Sequence, residues 1–135
     1  MHEHVFVLGE EIRTNFPDYP SPWDEDERVD DAVAKLKALS ERGIDTIVDP
    51  TVVGLGRYIP RIQRVAERVD IAIVVATGLY TYNDLPFQFH NIGPGRLVDG
   101  PEPLTELFVK DIREGIAGTG VRAGMLKCAI ELPGL

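Results

Sequence analysis

Apolar residues recur at helical spacing in three stretches of the chain and form short uninterrupted runs between them. Val29, Ala32, Val33, Leu36 and Leu39 lie on one stripe of a predicted helix. Asp24, Glu25, Asp26 and Glu27 crowd its start, where the helix dipole favours negative charge, and Gly43 stands where it would stop. Ile59, Ile62, Val65, Ala66 and Val69 make a second stripe, with Pro60 tolerable because it falls in the first turn. Leu104, Leu107, Phe108, Ile112 and Ile116 make a third, broken by the glycines of 118–120. The β-branched run 44–48, ending in Asp49-Pro50, reads as a buried strand. The run 71–76, closed by Thr77-Gly78, reads as a strand covered on both faces, and 123–130 as a further one.

A short apolar start followed by this alternation implies parallel strands joined by right-handed helical crossovers, hence an α/β fold. Periodicity does not separate an open doubly wound sheet from part of a closed barrel. A complete barrel of this type needs about 250 residues, so a chain of 135 residues holds roughly half of one. The segment from 78 to about 103 carries Tyr80, Tyr82, His90 and several Gly and Pro residues. It reads as an irregular, ordered and functional loop. The segment 15–23 is rich in proline and aromatic residues; Phe16, Tyr19 and Trp23 would line a partner surface or seal the fold.

Composition narrows the function. With 44% apolar residues the chain can bury a core, and a formal net charge of −8 disfavours nucleic acid and anionic membrane. One cysteine, Cys128, excludes an internal disulfide, and with no leader at the start a cytoplasmic location is expected. Cys128 is expected to be a small core residue.

Two motifs carry candidate chemistry. His2 and His4 are spaced so that an extended segment points both imidazoles the same way, within reach of one metal ion; a solvated chain terminus is the alternative. On the predicted strand, Met125, Lys127 and Ala129 share one face and Leu126, Cys128 and Ile130 the other. A buried Lys127 would favour a neutral amine able to act as nucleophile or base, or to add carbon dioxide as a carbamate; a lysine reaching solvent is the alternative. Gly54-Leu55-Gly56-Arg57 lacks the third glycine of a dinucleotide loop and reads as a turn, and His90 as a packing or surface residue.

Four stretches together resemble the phosphotriesterase family, and most of all its lactonases. They are Met1 to Phe6; Thr46 to Thr51 with Gly54 to Arg57; Ala76 to Tyr80 with Asp84-Leu85-Pro86; and Ala123 to Lys127. The match runs in register along the chain. The resemblance implies about half of a TIM (β/α)8 barrel, with residues 1–135 forming a partial, metal-dependent hydrolase domain. It also implies a centre of two divalent cations, zinc first, with cobalt, iron or manganese as alternatives, and a hydroxide bridging them. By the same resemblance, His2 and His4 are metal ligands, and Lys127 is the carboxylated lysine bridging both ions. Tyr80 orients or polarises the substrate, and Leu55, Asp84 and Leu85 line its pocket. The substrate would be a small lactone or organophosphate, and the complete chain a homodimer.

The same resemblance implies two further histidines and an aspartate, none of which this sequence reaches. The chain is therefore expected to be truncated at both ends and inefficient as a catalyst alone. Two other functions compete with the hydrolase: a non-catalytic half-barrel that self-associates through its open edges, and a small open α/β binding domain.

Overall fold

The computed structural model describes residues 1–19, 21–92 and 103–130. Helix α1 (Glu10–Asn15) is followed by α2 (Glu25–Ser40), β1 (Thr46–Asp49), α3 (Ile59–Ala66), β2 (Ala72–Gly78), α4 (Phe87–Ile92), α5 (Pro103–Arg113) and β3 (Met125–Lys127). The strands form one parallel sheet in the order β1-β2-β3. Consecutive strands are neighbours and the order never reverses, as in a barrel wall and unlike the switch point of a doubly wound sheet. Ahead of β1, residues 1–3 run parallel to it: the Glu3 amide donates to Val48 O at 3.0 Å, and the Val48 amide donates to Met1 O at 2.7 Å. The short start of the chain thus lies as a rudimentary strand on the β1 edge.

The expected helices form for the expected reasons. The Asp24 carboxylate caps α2 by accepting from the Glu27 amide at 2.9 Å. The apolar stripe Val29, Ala32, Val33 and Leu36 packs with Ile47 of β1, Val65 of α3 and Ile71. A second cluster joins Ile59 and Ile62 of α3 to Val75 of β2, Ile116 and Ala123; Val5, Phe6 and Ile73 touch both clusters. The core is therefore a helical layer packed on the sheet.

Several boundaries differ from the sequence reading. The 44–48 strand is observed two residues later, because Ile44 closes the turn behind α2 by donating to Leu39 O at 3.2 Å. The second helix ends at Ala66 and the third at Arg113, so Val69 and Ile116 pack from the turns beyond. The 123–130 strand contracts to Met125–Lys127, where β2 offers backbone partners. Strand β2 is buried along its C-terminal half, but Ala72 is exposed. Two short helices were not expected, α1 ahead of the Pro-rich segment and α4 within the stretch read as irregular. Helix α1 is held by the ion pair of Arg13 with Glu10 at 2.8 Å, and α4 follows the turn at Pro86, whose carbonyl accepts from Phe89 N at 2.9 Å. The remainder of the expected irregular stretch, 93–102, lies outside the described residues.

Cys128 is exposed rather than part of the core. Leu126 and Ile130, on the same side of the chain, are 61% and 69% exposed, because no described element packs against that face. The alternation itself is observed: Lys127 and Ala129 are half-buried between exposed neighbours.

Candidate functional site

The C-terminal ends of the strands bring the chemically interesting residues to one region. His2 pairs as an isolated parallel bridge with Val48, and the extended backbone carries His4 onto the same side. The two imidazoles meet edge to face, their ring centroids 5.3 Å apart. Lys127, last in β3, sets its Nζ 4.7 Å from the centroid of the Tyr80 ring, in cation–π geometry. Lys127 and His2 both lie near enough to His4 to oppose its protonation. Burial lowers the His4 pKa most; the charge of Asp49 resists this, while Lys127 and His2 add to it. His2 and His4 therefore stand together, and within electrostatic reach of His4, Lys127 stands with Tyr80.

Backbone geometry places the last two. Gly78 has φ +128°, and a Cβ there would lie 1.9 Å from Lys127 O, so only glycine lets β3 approach. Tyr80 is strapped on both sides: its amide donates to Val53 O at 2.8 Å, and its carbonyl accepts from Ala129 N at 2.7 Å.

Residues 54–57 form the predicted turn, with Leu55 N donating to Val52 O at 3.0 Å and Leu55 half-buried. A Cβ on Gly54 would meet Asp84 O at 2.7 Å and the Tyr80 Cβ at 3.4 Å, so this turn rests directly against the loop after β2. Asp84 and Leu85 belong to that loop and line an open groove with Gly54, Arg57 and Ile12. The Asp84 carboxylate is held by the Thr81 hydroxyl, and Leu85 is mostly buried as packing. His90 has a packing role, its Nε2 bonded to Leu85 O at 3.1 Å and its ring edge-on to Tyr82. Arg57 pins the turn from below: its Nη1 reaches Asp111 Oδ2 at 2.9 Å and Ala76 O at 3.1 Å, and Thr77 Oγ1 donates to the same carboxylate at 2.7 Å.

Asp49 and Thr51 received no role from sequence reasoning. Asp49, 2% exposed, accepts from the Thr51 amide at 3.0 Å, from the Thr51 hydroxyl at 2.5 Å and from the Val5 amide. Burial pushes its carboxyl above the ordinary value, and the Thr51 bonds and the nearby His4 oppose the rise. Thr51 Oγ1 in turn lies 2.9 Å from His4 Nδ1. The available signal was Asp49-Pro50-Thr51 itself, since aspartate commonly accepts from the amide two residues on.

Two adjacent imidazoles are donors well suited to a divalent transition-metal cation. Among the described residues no cluster of three or more His, Cys, Asp or Glu side chains that could hold a metal forms, and His2 and His4 stand as an adjacent pair. None of the described helices is long and apolar enough to cross a membrane.

Known proteins resemble the chain along its whole length. The chain is 62% identical over 136 aligned residues to a phosphotriesterase homology protein of Mycobacterium tuberculosis, spanning 100% of this chain and 41% of the relative. An aryldialkylphosphatase of Saccharolobus solfataricus is 42% identical over 135 residues, again over 100% of this chain and 40% of the relative. Among solved structures, the M. tuberculosis phosphotriesterase superposes with a TM-score of 0.91 at 61% identity, covering 100% of this chain and 41% of that one. A mutant organophosphorus hydrolase of Deinococcus radiodurans does so with a TM-score of 0.77 at 31% identity, covering 96% and 38%. The chain thus spans about two-fifths of the length of these relatives, and its strand-helix repeats are the corresponding part of a (β/α)8 barrel. With the phosphotriesterase family model matching residues 1–135, the chain belongs to the phosphotriesterase family.

Proposed function

We propose that this chain contributes the first half of a two-metal hydrolase site acting on lactones, with organophosphate triesters as further substrates. The observation that carries the reading is the convergence of His2, His4 and Lys127 beside Tyr80 at one end of the parallel sheet. His2 and His4 would hold one divalent cation, zinc being best suited to neutral imidazole. Lys127 would supply an anionic carbamate ligand, formed when its amine adds carbon dioxide and gives up a proton to water. Divalent cations held there would supply Lewis acidity, for activating water and for polarising a carbonyl or phosphoryl oxygen. Tyr80 orients the substrate, Asp84 and Leu85 shape the groove, and Leu55 lies in the turn whose other residues line it. The names of relatives support the substrate class: an aryldialkylphosphatase and an organophosphate hydrolase engineered from a weak promiscuous lactonase.

The test is metal content by elemental analysis after dialysis, together with lactone hydrolysis, for the complete protein carrying these residues and for its Lys127→Ala variant. Loss of both metal and hydrolysis in Lys127→Ala is expected. Unchanged metal content and unchanged hydrolysis would overturn the assignment.

A second reading is favoured by the exposed face of Leu126 and Ile130 on the β3 side of the sheet. There the chain associates with further protein without catalysing anything itself. Light scattering separates the two: a metal-free, inactive assembly supports association, and an active monomer refutes it.

A further inference from the structure

The His4 ring is held by a chain of hydrogen bonds whose direction can be deduced. The Thr51 hydroxyl has one proton to give. Two oxygens stand ready to accept it, Asp49 Oδ1 at 2.5 Å and, at the limit, Phe6 O at 3.4 Å. Asp49 already accepts from the Thr51 and Val5 amides, which favours it as a pure acceptor. Whichever oxygen takes the hydroxyl proton, only a lone pair of Oγ1 remains for His4 Nδ1, 2.9 Å away. The partner nitrogen must then be the donor. A neutral imidazole that carries its proton on Nδ1 leaves Nε2 bare, and a bare nitrogen is the one that binds a cation.

We propose that Asp49 and Thr51 are positioning residues that lock His4 in its Nδ1-protonated tautomer and so present the Nε2 lone pair to a divalent cation. This deepens the metal reading, on which its purpose rests, although the tautomer itself is a property of the metal-free protein. Three features make the lock rigid. Asp49 is the last residue of β1 and buried. Thr51 is buried two residues on, joined to the same carboxylate through both its amide and its hydroxyl. The Val5 amide, next to His4 in sequence, is bound by that carboxylate too, so the backbone carrying the ring is tied to the group that sets the ring's proton. Unconstrained, a neutral histidine side chain prefers its proton on Nε2; the arrangement reverses the intrinsic preference.

The experiment is long-range proton–nitrogen NMR on metal-free protein labelled with nitrogen-15 histidine, at about pH 8, above the ordinary histidine pKa. Only three histidines contribute, and a His90→Gln variant simplifies assignment. The wild type is expected to show His4 protonated on Nδ1. Thr51→Val, which keeps the amide bond to Asp49 but has no hydroxyl, should return His4 to the Nε2-protonated form and weaken zinc binding about 10–100-fold; Thr51→Ser should restore both. An Nε2-protonated His4 in the wild type, or an unchanged tautomer in Thr51→Val, would overturn the proposal. Should Thr51→Val fail to fold, the wild-type and Thr51→Ser spectra still decide the tautomer. An Nδ1-protonated His4 in a protein that takes up no zinc sustains the lock and refutes the metal reading instead.

Discussion

Arg61 is 1% exposed, an extreme position for a guanidinium. Its Nε donates to both oxygens of Glu25, at 2.9 and 3.0 Å, and its Nη2 to Glu10 at 2.5 Å. The rings of Trp23, Tyr58 and Phe6 lie 5.1, 5.2 and 5.4 Å from its central carbon. Two perturbations separate the charge from the packing. Replacing Arg61 with Met keeps an unbranched apolar filler among the rings and leaves Glu10 with Arg13, and Glu25 with Trp23 and Arg64, as remaining partners. The side chains of Glu10 and Glu25 are 29% and 28% exposed, so water can rehydrate them. Loss of the charge-assisted bonds and cation–π contacts should then cost about 2 kcal/mol. Replacing both carboxylates, as Glu10→Gln with Glu25→Gln, leaves the guanidinium buried without a counter-charge, at a cost of about 3–5 kcal/mol. Equilibrium urea unfolding, followed by far-ultraviolet circular dichroism, measures both. The reasoning requires the double carboxylate variant to be the less stable; an Arg61→Met variant equally or more destabilised refutes it, and assigns Arg61 to packing.

Gly78→Ala should detach β3 from β2, because the new Cβ would collide with Lys127 O at a left-handed backbone position. A stability loss above about 2 kcal/mol together with lost zinc uptake is expected, and wild-type behaviour in both would contradict the packing described. In metal-free protein, stability should fall as pH drops through the ordinary histidine value of 6.5. The unfolded chain takes up the His4 proton first, so it binds more protons than the folded one in that window. Urea titrations at stepped pH should show the fall, and His4→Asn should flatten it. Glu25 adds a lower step. Burial pushes its carboxyl up, but hydrogen bonds from Arg61 and Trp23 and the charge of Arg61 outweigh this and hold it below 4.5. Its stabilisation is present above 4.5 and lost as pH falls through its depressed folded value; Glu25→Gln should remove that step.

Much of the architecture was legible in the sequence because it rests on periodicity. The stripe from Val29 to Leu36, the C-terminal half of the β2 run, and Ile59, Ile62 and Val65 of the α3 stripe are buried as their spacing implies. Local rules also sufficed for the acidic start of α2 and the 54–57 turn, and two-residue alternation for the shared side of His2 and His4. The residues of the candidate site were legible through a resemblance that named them in register. Tertiary structure decided the rest. Whether Lys127 meets Tyr80 depends on Gly78 admitting β3 to the sheet, and whether Cys128 is core depends on what covers the face it shares with Leu126. The roles of Asp49 and Thr51 come from bonds to Val5 and His4 more than forty residues away in sequence, and those of Glu10 and Glu25 from Arg61. Periodicity records which side of an element is buried, since burial repeats along the chain. A hydrogen bond between distant segments leaves no repeat, so it exists only once the sheet and helices have set those segments side by side.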